Sequence, residues 1–269
     1  MLTTIQTTPY LREVTVILQM LLWSDKRLTL EACNDAIVVQ PDKQPGFSSN
    51  DRFVNPRDVV NVCSGLVKTN RSEYGTEDLH LAHASVREYL LSEEAIQPVQ
   101  SHLTEKIARS NLLRICHTYL GCVDWNMWDQ RAIKPHQGYP LLIWAILTWP
   151  AHVKYVEAID DEKLASVLDF LQLAPESFFM YSSMGALYRA PTAQYSPLYF
   201  TALMGLRHSC ARLLQYEVDV CSSEANSENN IPTALVDGHD DRIHRFSGST
   251  QRNTNLALQI RLDASLLAA

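Results

Sequence analysis

The sequence predicts a mainly α-helical chain: a winged-helix-like domain with a short β-hairpin, a helical connector and a degenerate helix-turn-helix repeat. Three observations lead there. Apolar residues recur at helical spacing through most of the first 215 positions. One stretch, Leu79 to Ala82, alternates instead, as a strand does. The chain holds only 9 glycines in 269 residues, too few for all-β turn networks or glycine-rich phosphate loops.

The first helix is predicted over 10–23, where Val14, Ile17, Leu18, Leu21 and Leu22 share one face. Ser24-Asp25-Lys26-Arg27 breaks it. Thr29 is the expected N-cap of a second helix, with Glu31 near its positive end and Leu30, Cys33 and Ile37 as its buried stripe. Residues 41–49 read as a loop. Asn55-Pro56 reads as the start of a third helix, because Asn caps and Pro suits the first turn; its stripe is Val59, Val62, Cys63 and Leu66. Leu66–Thr69 turns extended, a polar loop with Gly75 follows, and Leu79 and Leu81 mark the returning strand. Ser85-Val86-Arg87-Glu88 matches a capping box opening a helix with Val86, Tyr89 and Leu90 on one face. Three helices, a hairpin and a further helix make a winged-helix pattern with the hairpin as wing.

The connector is helical. Ala108, Leu112, Ile115, Cys116, Tyr119 and Leu120 line one face. Residues 124–140 read as loop, 141–149 as a very apolar helix, and Asp161 as the cap of a helix carrying Leu164, Val167, Leu168 and Leu171. From Ser196 the pattern changes. Ser196-Pro197-Leu198 with Thr201, Gly205, Ala211-Arg212-Leu213-Leu214 and Val218-Asp219-Val220 follow an ankyrin frame: first helix, glycine turn, second helix, exit. Residues 222–255 are rich in Ser, Asn, Asp and Thr and read as a mostly disordered tail, with a short helix expected over 256–267. The expected organisation is therefore 1–95 winged-helix-like, 96–190 helical connector, 191–221 ankyrin-like repeat and 222–269 tail.

A resemblance covers about residues 10–220. Arg52-Phe53-Val54-Asn55-Pro56-Arg57-Asp58-Val59-Val60 and Leu81-Ala82-His83-Ala84-Ser85-Val86-Arg87-Glu88-Tyr89-Leu90-Leu91-Ser92 resemble the winged-helix domain that follows the NACHT domain in fungal NACHT–ankyrin proteins. The same module carries the name of GPI inositol-deacylase. Leu21-Leu22-Trp23 and Arg27 to Ala32 fit its opening helices, and Trp149-Pro150-Ala151-His152 resembles the signature of the helical region beyond it. The resemblance implies an NLR-like protein of a filamentous fungus, linked to non-self recognition and heterokaryon incompatibility. In such proteins NACHT binds the nucleotide, the winged helix helps hold the inactive state and the ankyrin array recognises partners. No glycine of this chain is followed by lysine, so it has no phosphate loop of the NACHT kind; the expectation is a truncated protein without that domain.

The expected function is a non-catalytic protein–protein interaction module or scaffold. A winged-helix DNA-associated regulator, or a degenerate gene product without activity, is the alternative. No G-x-S-x-G elbow is present, so the deacylase activity is not carried over. His80, His83 and Ser85 lie close in sequence, but Ser85 reads as a helix cap and His83 as the end of a strand. Cys116, His117 and Cys122 form the nearest metal-like cluster, yet no second ligand pair follows. The 6 cysteines have no C-x-x-C pair and read as buried thiols of a reducing compartment. Net charge is −7 and the third helix has only Arg57 as a base, with Arg52, Lys68 and Arg71 flanking; nucleic acid is therefore not the expected partner. Arg207 and His208, near the repeat's turn, are the expected protein-binding residues. Trp125, Trp128, Tyr139, Trp144 and Trp149 read as packing, or as a sticky patch if 134–149 face solvent. No catalytic residue, cofactor, metal, small-molecule substrate or membrane partner is expected, and the location is cytoplasmic.

Overall fold

The computed structural model describes residues 9–63, 65–73, 75–92, 99–124, 138–157, 161–173 and 197–215. The chain is mainly helical with one two-stranded antiparallel hairpin. It divides into two compact units, Met1–Cys210 and Ala211–Ala269. In the second unit only 211–215 are described, and they are helical. The predicted tail, 222–269, lies outside the described residues.

Helix α1 (Leu11–Trp23) follows the predicted stripe, but its burial goes further. Val16, Gln19 and Met20 are buried beside Val14, Ile17, Leu18 and Leu22. A helix enclosed on nearly all sides needs partners on both flanks. The flanks here are α2 (Leu30–Ala36) and the hairpin on one side, and α5 (Val99–Leu103) and α6 (Glu105–Gly121) on the other. Gln19 completes its polar bonds inside this packing: its Nε2 donates to the His102 carbonyl at 2.8 Å, and its Oε1 accepts from Asn111 Nδ2 at 2.7 Å.

Thr29 caps α2 as expected, its Oγ1 accepting from the Ala32 N–H at 3.2 Å. The loop behind it presses on α6 at Gly46, where a β-carbon would collide with Thr118 Cγ2. The third helix, α3 (Asp58–Val62), starts later than Asn55-Pro56 suggests. Asn55 Oδ1 accepts from the Arg57 N–H at 3.1 Å, and Asp58 N–H and Val59 N–H reach back to Asn55 and Pro56 carbonyls. Asn and Pro thus build a turn before the helix, a common use of both residues.

The hairpin pairs β1 (Val67–Arg71) with β2 (Glu77–Leu81) in the register Val67–Leu81 to Arg71–Glu77. Val67 and Leu79 are buried, while Lys68 and His80 face solvent. Helix α4 (Ala84–Leu91) corrects the capping-box expectation. His83, not Ser85, is the N-cap: its backbone is extended, and its Nδ1 accepts from the Ser85 N–H at 3.2 Å. The imidazole nitrogen is the first acceptor able to reach the exposed N–H groups of that turn, so Ser85 falls inside the helix.

Helices α6 and α7 (Leu142–Val156) form the main connector pair, with α8 (Asp161–Leu173) against α7. All six predicted core residues of α6 are buried. Helix α7 corrects the expected end at 149: it continues through Pro150 to Val156, nearly two further turns. Pro150 removes one donor to Ile146, but it is buried with Trp149 and Val153, and tertiary packing overrides propensity there. The conditional sticky patch is also corrected, since Trp144 and Trp149 are buried. Trp125 and Trp128 lie outside the described residues, as do most of loop 124–140 and Ser196, the first residue of the ankyrin frame.

The segment read from sequence as a repeat begins with α9 (Pro197–Met204), and Gly205 takes a φ of +68°, the left-handed turn that glycine adopts without strain. Residues 207–210 are again helical. Among the described residues, no helix is long and apolar enough to cross a membrane.

Candidate functional site

The repeat's turn carries both residues expected to contact a partner. Leu198, Thr201 and Leu206 are buried beneath it. Thr201 Oγ1 donates to the Leu198 carbonyl at 3.0 Å, and the Leu206 N–H returns to the Thr201 carbonyl at 2.9 Å. Arg207 and His208 stand exposed at the start of the second helix. They do not point alike. His208 Nδ1 lies 3.9 Å from Glu157 Oε1, an ion pair only when the ring is protonated. Arg207 is exposed and has no ion pair among the described residues.

Glu157 is a residue that sequence reasoning misses. It is buried at the C-terminus of α7, and its Oε2 accepts from Ser209 N–H at 3.0 Å and from Ser209 Oγ at 2.6 Å. The first N–H groups of a helix have no partner within it, and a carboxylate there satisfies one and complements the positive helix end. A connector carboxylate therefore caps the repeat's second helix. The two partners are separated by 52 residues, so no local motif could reveal them.

A second node joins the winged-helix-like part to the connector. The Asp35 carboxylate is fully buried and accepts from Arg52 Nε, from the Tyr119 hydroxyl and, at 3.4 Å, from Leu141 N–H. Burial pushes its carboxyl up, and the bonds to Arg52 and Tyr119 pull it back. Arg52 also donates to the Gly138 carbonyl at 2.7 Å and lies over the Phe47 ring at 5.5 Å. Arg52, one of the bases flanking the third helix, is thus committed to this node, its charge paired with Asp35. Arg57, the base of the third helix, is likewise held in a two-pronged pair with Glu77 of the wing, its Nε 3.1 Å from Glu77 Oε2. A guanidinium so engaged offers little net charge to a nucleic-acid backbone. Lys68 and Arg71 remain exposed on β1.

Of the three residues that lie close in sequence, His80, His83 and Ser85, the last two are in contact. His83 Nδ1 lies 2.9 Å from Ser85 Oγ. That nitrogen also accepts the Ser85 backbone N–H, both side chains are exposed, and the pair serves as a helix cap. A general base needs a free lone pair and an orienting third group. His80 is on the exposed edge of β2. Cys116 Sγ faces Thr148 Oγ1 at 3.8 Å, and His117 stacks on Phe170 at 3.9 Å, so these two side chains face different neighbours. Cys33, Cys63 and Cys116 are buried free thiols, and burial raises the latter two to about 12. Among the described residues, no group of three or more His, Cys, Asp or Glu side chains is arranged to hold a metal ion.

No family model and no solved structure match the chain. A curated relative does. The chain is similar to the azaphilone pigments biosynthesis cluster protein L of Monascus ruber, 26% identical over 226 residues that cover 76% of this chain. The matched region is 47% of that relative, so the chain spans about half its length. Taken with the fold, this is a distant likeness to a fungal protein named for a pigment gene cluster.

Proposed function

We propose that the chain is a non-catalytic interaction module, the winged-helix, connector and first-repeat portion of an NLR-like protein of the NACHT–ankyrin kind. The observation that carries this reading is the anchored repeat. Glu157 clamps the start of its second helix while Arg207, exposed beside the clamp, has no ion pair among the described residues. A contact residue held on a rigid element loses little freedom on binding, and this preorganisation favours recognition. The occupied lone pair of His83 and the paired Arg57 argue against the hydrolytic and DNA-associated alternatives. The Monascus ruber relative is named for an azaphilone pigment biosynthesis cluster. In that setting this chain would act as a cytoplasmic binding or scaffolding partner of other proteins, without a cofactor of its own.

The test is partner capture from fungal extract with the wild-type chain and with Arg207→Glu, matched for helical content by circular dichroism. A protein retained by the first and lost by the second supports the reading. Equal capture by both, or turnover of an ester panel by the purified chain, overturns it.

A further inference from the structure

A groove of about 790 Å³ opens where the end of α1, the linker after it, α4, α6, α7 and α9 meet. Its apolar floor is made by Leu22, Trp23, Leu147, Pro150 and Met204. Four cations line it, Lys26, Arg87, Arg109 and Lys154, against one carboxylate, Asp25. A second groove of about 840 Å³, under the wing, shares Ser24, Asp25, Lys26 and Arg87 with the first and adds Arg27 and Lys68 against Asp78. Six cations thus line the two adjoining grooves of a chain whose net charge is −7; Lys26 is paired with Asp25 at 3.4 Å, Arg27 with Asp78 and Arg109 with Glu105, while Arg87, Lys154 and Lys68 have no ion pair among the described residues.

Several of these groups are fixed in place with donors to spare. Arg87 Nη1 donates to the Leu22 carbonyl at 2.8 Å, leaving its other N–H groups. Arg109 lies over the Trp23 and Tyr155 rings at 5.8 and 5.3 Å and pairs with Glu105 at 2.7 Å. Lys154 is exposed with no ion pair among the described residues. In the groove's wall His152 is only 1% exposed, yet among the described residues neither ring nitrogen has a hydrogen-bond partner. An enclosed imidazole with unspent donor and acceptor capacity is costly unless something completes it.

We propose that this groove docks an acidic segment of a partner protein, with carboxylates on Lys26, Arg87 and Lys154 and apolar side chains on the Leu22–Leu147–Met204 floor. The mixture decides the class of partner. Duplex DNA carries a charge roughly every 1.7 Å and needs an unbroken run of cations. Here apolar side chains and Asp25 interrupt the run, which suits a peptide that alternates acidic and apolar residues. Met204 belongs to the repeat, so the occupant touches the winged-helix part, the connector and the repeat together.

The proposal takes its partner to be a protein, and so rests on the interaction reading above; the experiment separates the two. Fluorescence anisotropy is measured on the whole chain with a labelled Glu/Leu peptide, its Lys/Leu counterpart, its Glu/Ser counterpart and a labelled DNA duplex. The Glu/Leu peptide is expected to bind best. Binding should weaken about tenfold or more in Lys26→Glu/Lys154→Glu, and should weaken as salt is raised. Lys106→Glu, an exposed site on α6 outside the groove, should stay within about twofold. Circular dichroism confirms that each variant is folded. No binding, or equal binding by the groove variant, overturns the groove while leaving Arg207-dependent capture intact. Tighter binding of the duplex overturns the peptide assignment and the interaction reading together.

Discussion

Removing the Asp35 carboxylate strips three donors at once: Arg52, the Tyr119 hydroxyl and the Leu141 N–H. Asp35→Ala is expected to cost about 3–5 kcal/mol, because it leaves the Arg52 charge half-buried without its partner. Urea unfolding followed by circular dichroism measures this; a loss below about 1 kcal/mol would mean that water replaces the carboxylate freely. Two histidines make a different residue-scale prediction. Burial, and then the neighbouring His152, push His117 down to about 3; burial, and then Arg109, do the same to His152. His117 keeps part of its surface exposed, but its Nε2 is enclosed. In the unfolded chain both rings titrate near about 6.5. Between that value and about 3 the unfolded chain binds more protons than the folded one. Stability is therefore full above pH of about 6.5 and falls as pH drops, by up to about 1.4 kcal/mol per pH unit for each ring. His117→Phe/His152→Leu, which keeps the stack on Phe170, should flatten that part of the profile. A wild-type profile that stays level from neutral pH to mild acid would contradict it.

At the scale of the element, the repeat's second helix owes its start to another helix. Glu157→Ala removes the acceptor for Ser209 N–H and Oγ and should cost about 1–2 kcal/mol. Hydrogen exchange should quicken over 197–210 while α1 keeps its protection; uniform quickening would show that Glu157 holds more than the repeat. Gly205 lies at φ +68°, and nothing crowds the site of a β-carbon there. Gly205→Ala should then cost only the conformational penalty, about 1–2 kcal/mol, read from the shift in midpoint at constant slope.

Across the whole molecule, α1 is the element that the other parts share. Gln19 bonds to α5 and α6, Trp23 Nε1 donates to the Leu103 carbonyl at 2.9 Å, and Arg12 Nη1 donates to the Ile37 carbonyl at 2.6 Å. A fragment ending at residue 95 would expose the face that α5 and α6 cover. That fragment is expected to give no cooperative urea transition, whereas 1–215 should give coincident transitions by circular dichroism and tryptophan fluorescence. A cooperative transition in the short fragment would show the winged-helix-like part to be an independent domain.

The apolar periods of 10–23, 108–120 and 161–171 were enough to place helices, because the residues that drive burial repeat within one turn of each other; the stripe from Val59 to Leu66 found the third helix but overran its end at Val62. The alternation at Leu79–Leu81 located the strand, and Thr29 announced its cap, for the same local reason. Arg207 and His208 are exposed, as the sequence reading expected. The partners that complete these elements lie far along the chain. Glu157 reaches Ser209, Asp35 reaches Tyr119, and Gln19 reaches Asn111, separations of 52, 84 and 92 residues. Sequence order carries no trace of such pairs. Only folding decided that His83 rather than Ser85 would cap α4, that packing would carry α7 through Pro150, and that four cations, from the linker after α1 and from α4, α6 and α7, would meet over one apolar floor. Burial is a property of spacing, which a chain displays by itself. Satisfaction of polar groups depends on which surfaces come together, and the tertiary structure alone determines that.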